Sequence, residues 1–306
     1  DPTAIRRALI EKGVPSELAA REIATIADAP LLSAGRAQAR QSEKLGMVLR
    51  LRRELAALSS HPTAIERRPT IEPDEFFERY YCTNTPLVLT EMTRDWPALS
   101  RWGVDDLRER FGNAEIEICS GREGDPTPDK NFEQHLEQTT VTELLRRIET
   151  TTGASNDDYL IAHNRALERS ALGALLDDVV VPDFIEPEHH KGSASLWIGP
   201  AGSITPMHHD KCNILFCQIV GRKHFRIIEP GHIELLDRPD GFYCTLGDDE
   251  LATLPAKEVV LEPGMTLFLP VGWWHDVRAL DFSMSVSLLN FRRRLDADWY
   301  APGQVP

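Results

Sequence analysis

No stretch of this chain approaches the about 18 consecutive apolar residues that a membrane-crossing helix needs. Cysteine is scarce: Cys82, Cys119, Cys212, Cys217 and Cys244 are odd in number, scattered, and form no CxxC pair. That argues for reduced thiols in a cytoplasmic protein rather than a disulfide frame or a zinc site. Positive charge is in deficit. The 34 Lys and Arg face 48 Asp and Glu, for a formal net charge of -14. Nucleic-acid affinity leans on clustered Lys and Arg, so no nucleic-acid partner is expected, and no membrane partner either. Internal repeats, low-complexity tracts and a signal-peptide pattern are also missing.

What is present divides by character. A chain of 306 residues can bury about three quarters of its unfolded surface, enough for a sizeable core. Residues 1–60 have helical spacing. Ile5 and Leu9 lie four apart before Gly13, a helix stop, and Ser16 opens a second helix carrying Ala19, Ile23 and Ile26 on one side. A longer third helix sets Leu45, Val48, Leu49, Leu55 and Leu58 beside Arg50, Arg52, Arg53 and Glu54 on wetter faces. The expected organisation is an N-terminal helical segment, 1–60, and a larger domain, 61–306. The helices could cover a barrel end, mediate a homodimer or hold substrate.

The middle of the chain mixes helix, strand and loop. A helix then a strand at Leu87–Thr90 follow Pro69, and Glu115–Cys119 is another strand. GREGDPTPDK, residues 121–130, is a polar loop, either a lid or plain surface. Thr140–Glu149 is amphipathic and helical.

Beyond residue 194 short β-rich segments recur: Ser195–Ile198, Ile214–Val220, Lys223–Ile228, Lys257–Leu261, Thr266–Leu269, His275–Leu280 and Ser283–Asn290. Ser283, Ser285 and Ser287 alternate with Met284, Val286 and Leu288, as in a half-buried strand. Pro263-Gly264 marks a turn. The expected fold class is mainly β with α, a double-sheet jelly roll of the cupin kind with flanking helices.

Within this half, WIGPAGSITPMHHDKCNILFCQIVGRK, residues 197–223, concentrates the chemistry. Residues i and i+2 of an extended chain point the same way, so His208 and Asp210 can present an imidazole and a carboxylate to one point. HxD alone is a weak signal. Here it makes two thirds of the 2-His-1-carboxylate facial set that binds Fe(II) and leaves positions open. His275, in LPVGWWHDV, is the candidate third ligand. Gly221-Arg222 suggests a two-residue hairpin in which Val220 faces Lys223. Lys223 then shares a face with Phe225, Ile227, Ile214, Phe216 and Gln218, where an ammonium is costly unless paired. Either its stem packs and its head reaches water, or it awaits an anion inside a barrel. His209 should point away from the metal. His189, His190 and His232 read as surface residues, and His163 and His224 as structural ones. Asn164 and Arg165 could face substrate.

TPMHHD, QIVGRK eight residues after the aspartate, WWH and SLLNF together resemble the JmjC and cupin-like 2-oxoglutarate oxygenases, most of all their asparaginyl hydroxylase branch that acts on hypoxia-inducible factor. The resemblance spans roughly residues 61–295. It implies His208, Asp210 and His275 as the ligands of catalytic Fe(II). It implies Thr205 and Lys223 as the holders of the distal carboxylate of 2-oxoglutarate, joined by Tyr159 of DDYLIA. It implies Asn290 near the keto-acid end and Phe216 as a pocket aromatic. The family often has an asparagine where this chain has Ile214; Asn213 stands one place early, so either a bulge restores that contact or it is absent.

The resemblance also implies O2 as co-reactant, succinate and CO2 as co-products, and a peptide or protein side chain as the substrate to be hydroxylated. A small-molecule substrate, a metal- or acid-binding cupin without catalysis, and an interaction module led by the N-terminal helices are the rival readings. The short stretch after Asn290 leaves any homodimer to use a surface other than the branch's C-terminal helices.

Overall fold

The computed structural model describes residues 2–27, 29–58, 63–187, 194–232, 242–244 and 246–295. Twelve strands are assigned among them: β1 Glu66–Arg68, β2 Leu87–Leu89, β3 Glu115–Cys119, β4 Leu136–Thr140, β5 Ala194–Gly199, β6 Ile204–His208, β7 Ile214–Val220, β8 Lys223–Ile228, β9 Lys257–Leu261, β10 Thr266–Leu269, β11 Trp274–Ala279 and β12 Ser283–Leu288. A six-stranded sheet runs β1-β2-β10-β7-β12-β5, a four-stranded sheet runs β6-β11-β8-β9, and β3 pairs with β4 alone. From β5 to β12 the chain steps between the two large sheets at every connection except β8 to β9, which pair as neighbours. That alternation is the double-stranded β-helix expected from the sequence.

The stepping overturns one expectation. Residues 221–222 do not close a hairpin: β7 and β8 lie in different sheets, and Val220 and Lys223 are not partners. Lys223 pairs instead with Ala279 and Leu261. The turn is as short as a hairpin loop, but β7 is buried on both faces while β8 buries the face of Lys223, Phe225 and Ile227, so stacking that face on β7 from a second sheet covers more apolar surface than pairing the two strands edge to edge. Gly221 makes the corner possible, with φ +68 and with the Phe282 carbonyl oxygen 2.0 Å from where a Cβ would stand. The face assignment survives, because Phe216 of β7 and Phe225 of β8 meet edge-on at 4.9 Å across the interior.

β12 is buried along its whole length rather than half-buried. Met284, Val286 and Leu288 join the core that packs the six-stranded sheet against the helices. The serines point between the sheets, where Ser285 donates to Gln218 Oε1 at 2.8 Å and Ser287 accepts from Trp197 Nε1 at 3.2 Å. Alternation of serine with aliphatics therefore reports two buried faces, one of them polar. Among the helices, Val141–Thr150 is capped by Thr140, whose hydroxyl accepts from Glu143 N, and buries Val141, Leu144, Leu145 and Ile148.

The chain divides into two compact units, Asp1–Ser60 and His61–Pro306. In the first, α1 Pro2–Glu11 packs on α2 Ser16–Ala27, with Gly13 at φ +85 between them. The 28-residue α3, Pro30–Ala57, buries none of its residues. Of its expected apolar stripe, Leu45, Val48, Leu55 and Leu58 are each at least half exposed and Leu49 is half-buried. No helix among the described residues is long and apolar enough to cross a membrane.

Candidate metal centre

β6 and β11 are antiparallel neighbours in the four-stranded sheet, and His208 and His275 are direct partners in their register. This pairing closes the long sequence gap between the two imidazoles, whose ring centroids stand 4.1 Å apart. Asp210 follows just after β6. Its Oδ2 lies 3.4 Å from His275 Nε2 and 3.8 Å from His208 Nε2. All three ligand atoms fall within 4.8 Å of one another, and no other such group of three occurs among the described residues.

Cation ligands at bond lengths of roughly 2.1 Å stand roughly 3 Å apart when adjacent, so small side-chain shifts bring this set into range. The ring orientations suit the task as well. His208 Nδ1 is 2.8 Å from the Pro206 carbonyl oxygen and His275 Nδ1 is 3.0 Å from that of Trp273. Each ring donating its Nδ1–H to that carbonyl leaves Nε2 bare and turned to the shared point. Burial, reinforced by the neighbouring His208, lowers the His275 pKa to about 3, which keeps it a neutral ligand. The donor set, two imidazoles and one carboxylate, fits a borderline divalent transition-metal ion with open positions.

The triad forms one wall of a cavity of about 380 Å³ whose lining also includes Thr205, Tyr159, Phe216 and Lys223. Lys223 is 1% exposed and donates to the Tyr159 hydroxyl at 3.4 Å. Its Nζ stands 5.5 Å from the Tyr159 ring, 5.7 Å from that of Trp197 and 5.4 Å from that of Phe216. Among the described residues no carboxylate pairs with it, and burial alone depresses its pKa to about 7. The lysine head is therefore inside, not in water. Thr205, 7% exposed, hydrogen-bonds the Tyr159 phenol, whose own pKa burial pushes above the ordinary tyrosine value.

Seven of the eight residues singled out in the sequence thus share one cavity. Asn290 does not. Ser287 and Leu289 face the cavity, so alternation turns Asn290 to the opposite side, into a smaller neighbouring pocket. Its Nδ2 is buried there without a hydrogen-bond partner among the described residues. Asn213 lines the same small pocket and accepts from Val271 N at 2.8 Å, so no bulge returns it to the family position.

Other expectations sort as follows. His209 turns from the metal, edge-on to Trp274 at 4.6 Å. His163 stacks on Phe132 at 4.6 Å and lines the cavity. His224 Nε2 is 3.2 Å from Glu258. His232 is 6% exposed, not a surface residue, because it turns back beside Glu229. His189 and His190 lie outside the described residues. Asn164 does not face substrate: its side chain accepts from Ile161 N at 2.8 Å as a local cap, and Arg165 is spent on an ion pair with Glu168.

Several lining residues escaped the sequence reading, among them Asp129, Trp197 and Tyr243. Trp197 had a signal, being the first residue of the motif-bearing stretch; across β5 and β12 it pairs with Ser285 and donates to the Ser287 hydroxyl. Asp129 lies in the polar loop 121–130, most of which is exposed while Arg122 and Asp129 are buried and bonded at 3.0 Å. Tyr243 had none. It is held by bridging to His208.

The family profile described as "Cupin-like domain" matches residues 73–294. Among curated proteins the chain is similar to "Lysine-specific demethylase JMJ30" of Arabidopsis thaliana, 28% identical over 241 residues, covering 73% of this chain and 54% of that protein. It is similar to "Lysine-specific demethylase 8" of Xenopus tropicalis, 28% identical over 74% of this chain and 52% of that protein. With "Jumonji C domain-containing protein 5" of Drosophila melanogaster it is 30% identical over 72% of this chain and 57% of that protein. The chain spans just over half the length of each of these relatives.

Proposed function

The chain belongs to the cupin-like domain family, and from that membership we propose that it is a non-haem Fe(II)- and 2-oxoglutarate-dependent oxygenase that hydroxylates a peptide or protein side chain. One observation carries the reading. The His208–Asp210–His275 triad and a buried Lys223 that has no carboxylate partner among the described residues line the same cavity. A metal site alone would fit many proteins; a metal site facing an unpaired buried cation asks for a ligand that chelates at one end and is anionic at the other.

His208, Asp210 and His275 would hold the iron by one face. Lys223 would give a point charge, and Thr205 and Tyr159 hydroxyl donors, to the distal carboxylate of 2-oxoglutarate. Phe216 and Trp197 exclude water from its methylenes. When bound, iron and 2-oxoglutarate supply the redox chemistry: one atom of O2 enters succinate as CO2 leaves, and the other enters a substrate C–H bond. The demethylase names of the relatives accord with this chemistry, since oxidation of an N-methyl group begins by hydroxylating that carbon. All five cysteines are free thiols, which suits a reducing compartment.

The test is conversion of 2-oxoglutarate to succinate with Fe(II) and a panel of peptides and small metabolites. Replacing His208 and Asp210 together by Ala is expected to cut succinate formation by about 100-fold or more and to abolish Fe(II) binding. Turnover retained in that double variant would exclude this centre. Metal and 2-oxoglutarate binding without any turnover would mark a non-catalytic cupin instead.

A further inference from the structure

Behind the cavity wall that carries Tyr159 and Thr205 stands a guanidinium with no solvent exposure, that of Arg122. Its Nε donates to the Asn156 carbonyl at 3.0 Å, and its Nη2 donates to Asp129 Oδ2 and to the Ile204 carbonyl, both at 3.0 Å. Its backbone N–H donates to Asp157 Oδ1 at 3.1 Å. Asn156 closes the knot by accepting from Ile204 N at 2.8 Å through Oδ1. Ile204 directly precedes Thr205, and Asn156 stands three residues before Tyr159. The Arg122 Cζ is also 5.6 Å from the Tyr159 ring centroid. One side chain therefore joins the loop after β3, the approach to Tyr159 and the first residue of β6.

β6 needs such a tie. It is the end strand of its sheet; among the described residues its outer edge is bridged only at the Met207–His208 end, by residues 242–244, and the register of its pair with β11 shifts between His275 and Val277. Its start, at Ile204 and Thr205, has β11 alone as a strand partner beside an irregular ladder, and is poorly located by those hydrogen bonds. Stability by itself explains the tie weakly, because the desolvation cost of a buried ion pair roughly offsets its attraction. What such a pair does well is fix one arrangement among several. Its charge is matched by Asp129, so Arg122 is not a second free cation waiting for the cosubstrate.

We propose that Arg122 is a positioning residue for the cosubstrate pocket. It sets the Thr205 hydroxyl and the Tyr159 phenol at the spacing that lets both reach the carboxylate held by Lys223. The proposal rests on the oxygenase reading above and extends it to a residue that touches neither metal nor ligand.

The experiment is calorimetric titration of 2-oxoglutarate into the Mn(II)-loaded full chain without oxygen, with Mn(II) affinity and thermal melting recorded for each variant. Arg122→Met is expected to weaken 2-oxoglutarate binding about tenfold while Mn(II) affinity stays within about twofold. Arg122→Lys, which keeps the charge but loses the fork, is expected to fall between wild type and Arg122→Met. Asn156→Ala, the milder cut in the same knot, is expected to cost about threefold, and it decides the matter alone if Arg122→Met does not fold. In turnover the same variants raise KM for 2-oxoglutarate and leave kcat nearly unchanged. Cosubstrate affinity within about twofold of wild type in both Arg122→Met and Asn156→Ala overturns the proposal. So does a parallel fall of Mn(II) affinity, 2-oxoglutarate affinity and melting temperature, which is the mark of a merely structural residue. Lys223→Ala is the control: normal 2-oxoglutarate binding there overturns the cosubstrate reading and this proposal with it. Lost binding there beside normal binding in Arg122→Met removes the proposal alone.

Discussion

Lys223 is the residue on which the proposed cosubstrate reading turns. Burial among Tyr159, Trp197 and Phe216 takes its ammonium out of water and lowers its pKa to about 7. Between that value and the ordinary 10.5, the unfolded chain holds a proton that the folded, ligand-free chain does not. Stability of the ligand-free protein therefore rises with pH across this window, and Lys223→Met should flatten the rise in urea melts taken from pH 7 to 10. A bound carboxylate reverses the preference, because it stabilises the charged form. Binding of 2-oxoglutarate at pH 8 to 9 should take up a proton, seen by calorimetry in buffers of different ionisation enthalpy. Its affinity should fall with a slope approaching about tenfold per pH unit. A flat affinity profile over that range would show that Lys223 does not meet the ligand.

At the scale of elements, the corner at residues 221–222 delivers Lys223 to the interior. It passes the chain from β7 to β8 across the two sheets, with Gly221 in the left-handed region and hard against the Phe282 backbone. Gly221→Ala adds both backbone strain and a clash with a carbonyl that cannot swing aside. It is expected to cost roughly 2 kcal/mol or more in chemical denaturation. Cosubstrate affinity should fall with it, while the metal ligands, carried on β6 and β11, are spared. Gly199 shows the same economy of space beside the site. A Cβ there would stand 2.7 Å from the Tyr159 ring, so the phenol's position is set by a residue without a side chain.

At the scale of the whole molecule, the two units separate cleanly in character. The candidate metal centre and the cavity lining belong to His61–Pro306, while the described residues of Asp1–Ser60 form three helices in which Ala19 alone is buried. Removing residues 1–60 should leave Mn(II) and 2-oxoglutarate affinities of the remainder within about twofold. Loss of either would show that the helices complete the cavity. A change confined to turnover of a macromolecular substrate would assign them to substrate holding, a role suited to α3 with its exposed leucines and arginines.

The sequence by itself picked out the group His208, Asp210 and His275 that the fold brings together, because period-two geometry puts His208 and Asp210 on one side and His275 lies at the start of a strand able to return. It also determined the jelly-roll class, through many short strands broken by Gly and Pro, and the inward face of Lys223, through alternation along β8. Tertiary structure alone decided which strands became neighbours. A two-residue turn is read locally as a hairpin, yet packing of the apolar face of β8 onto β7, a non-local term, sent the two strands to opposite sheets. The same non-local packing turned the β12 serines inward and set Asn290 and Asn213 in a side pocket. It also gathered Arg122, Asn156 and Ile204, remote in the chain, into one knot behind the site. Periodicity fixes which way a side chain points; only the assembled sheets fix what it points at.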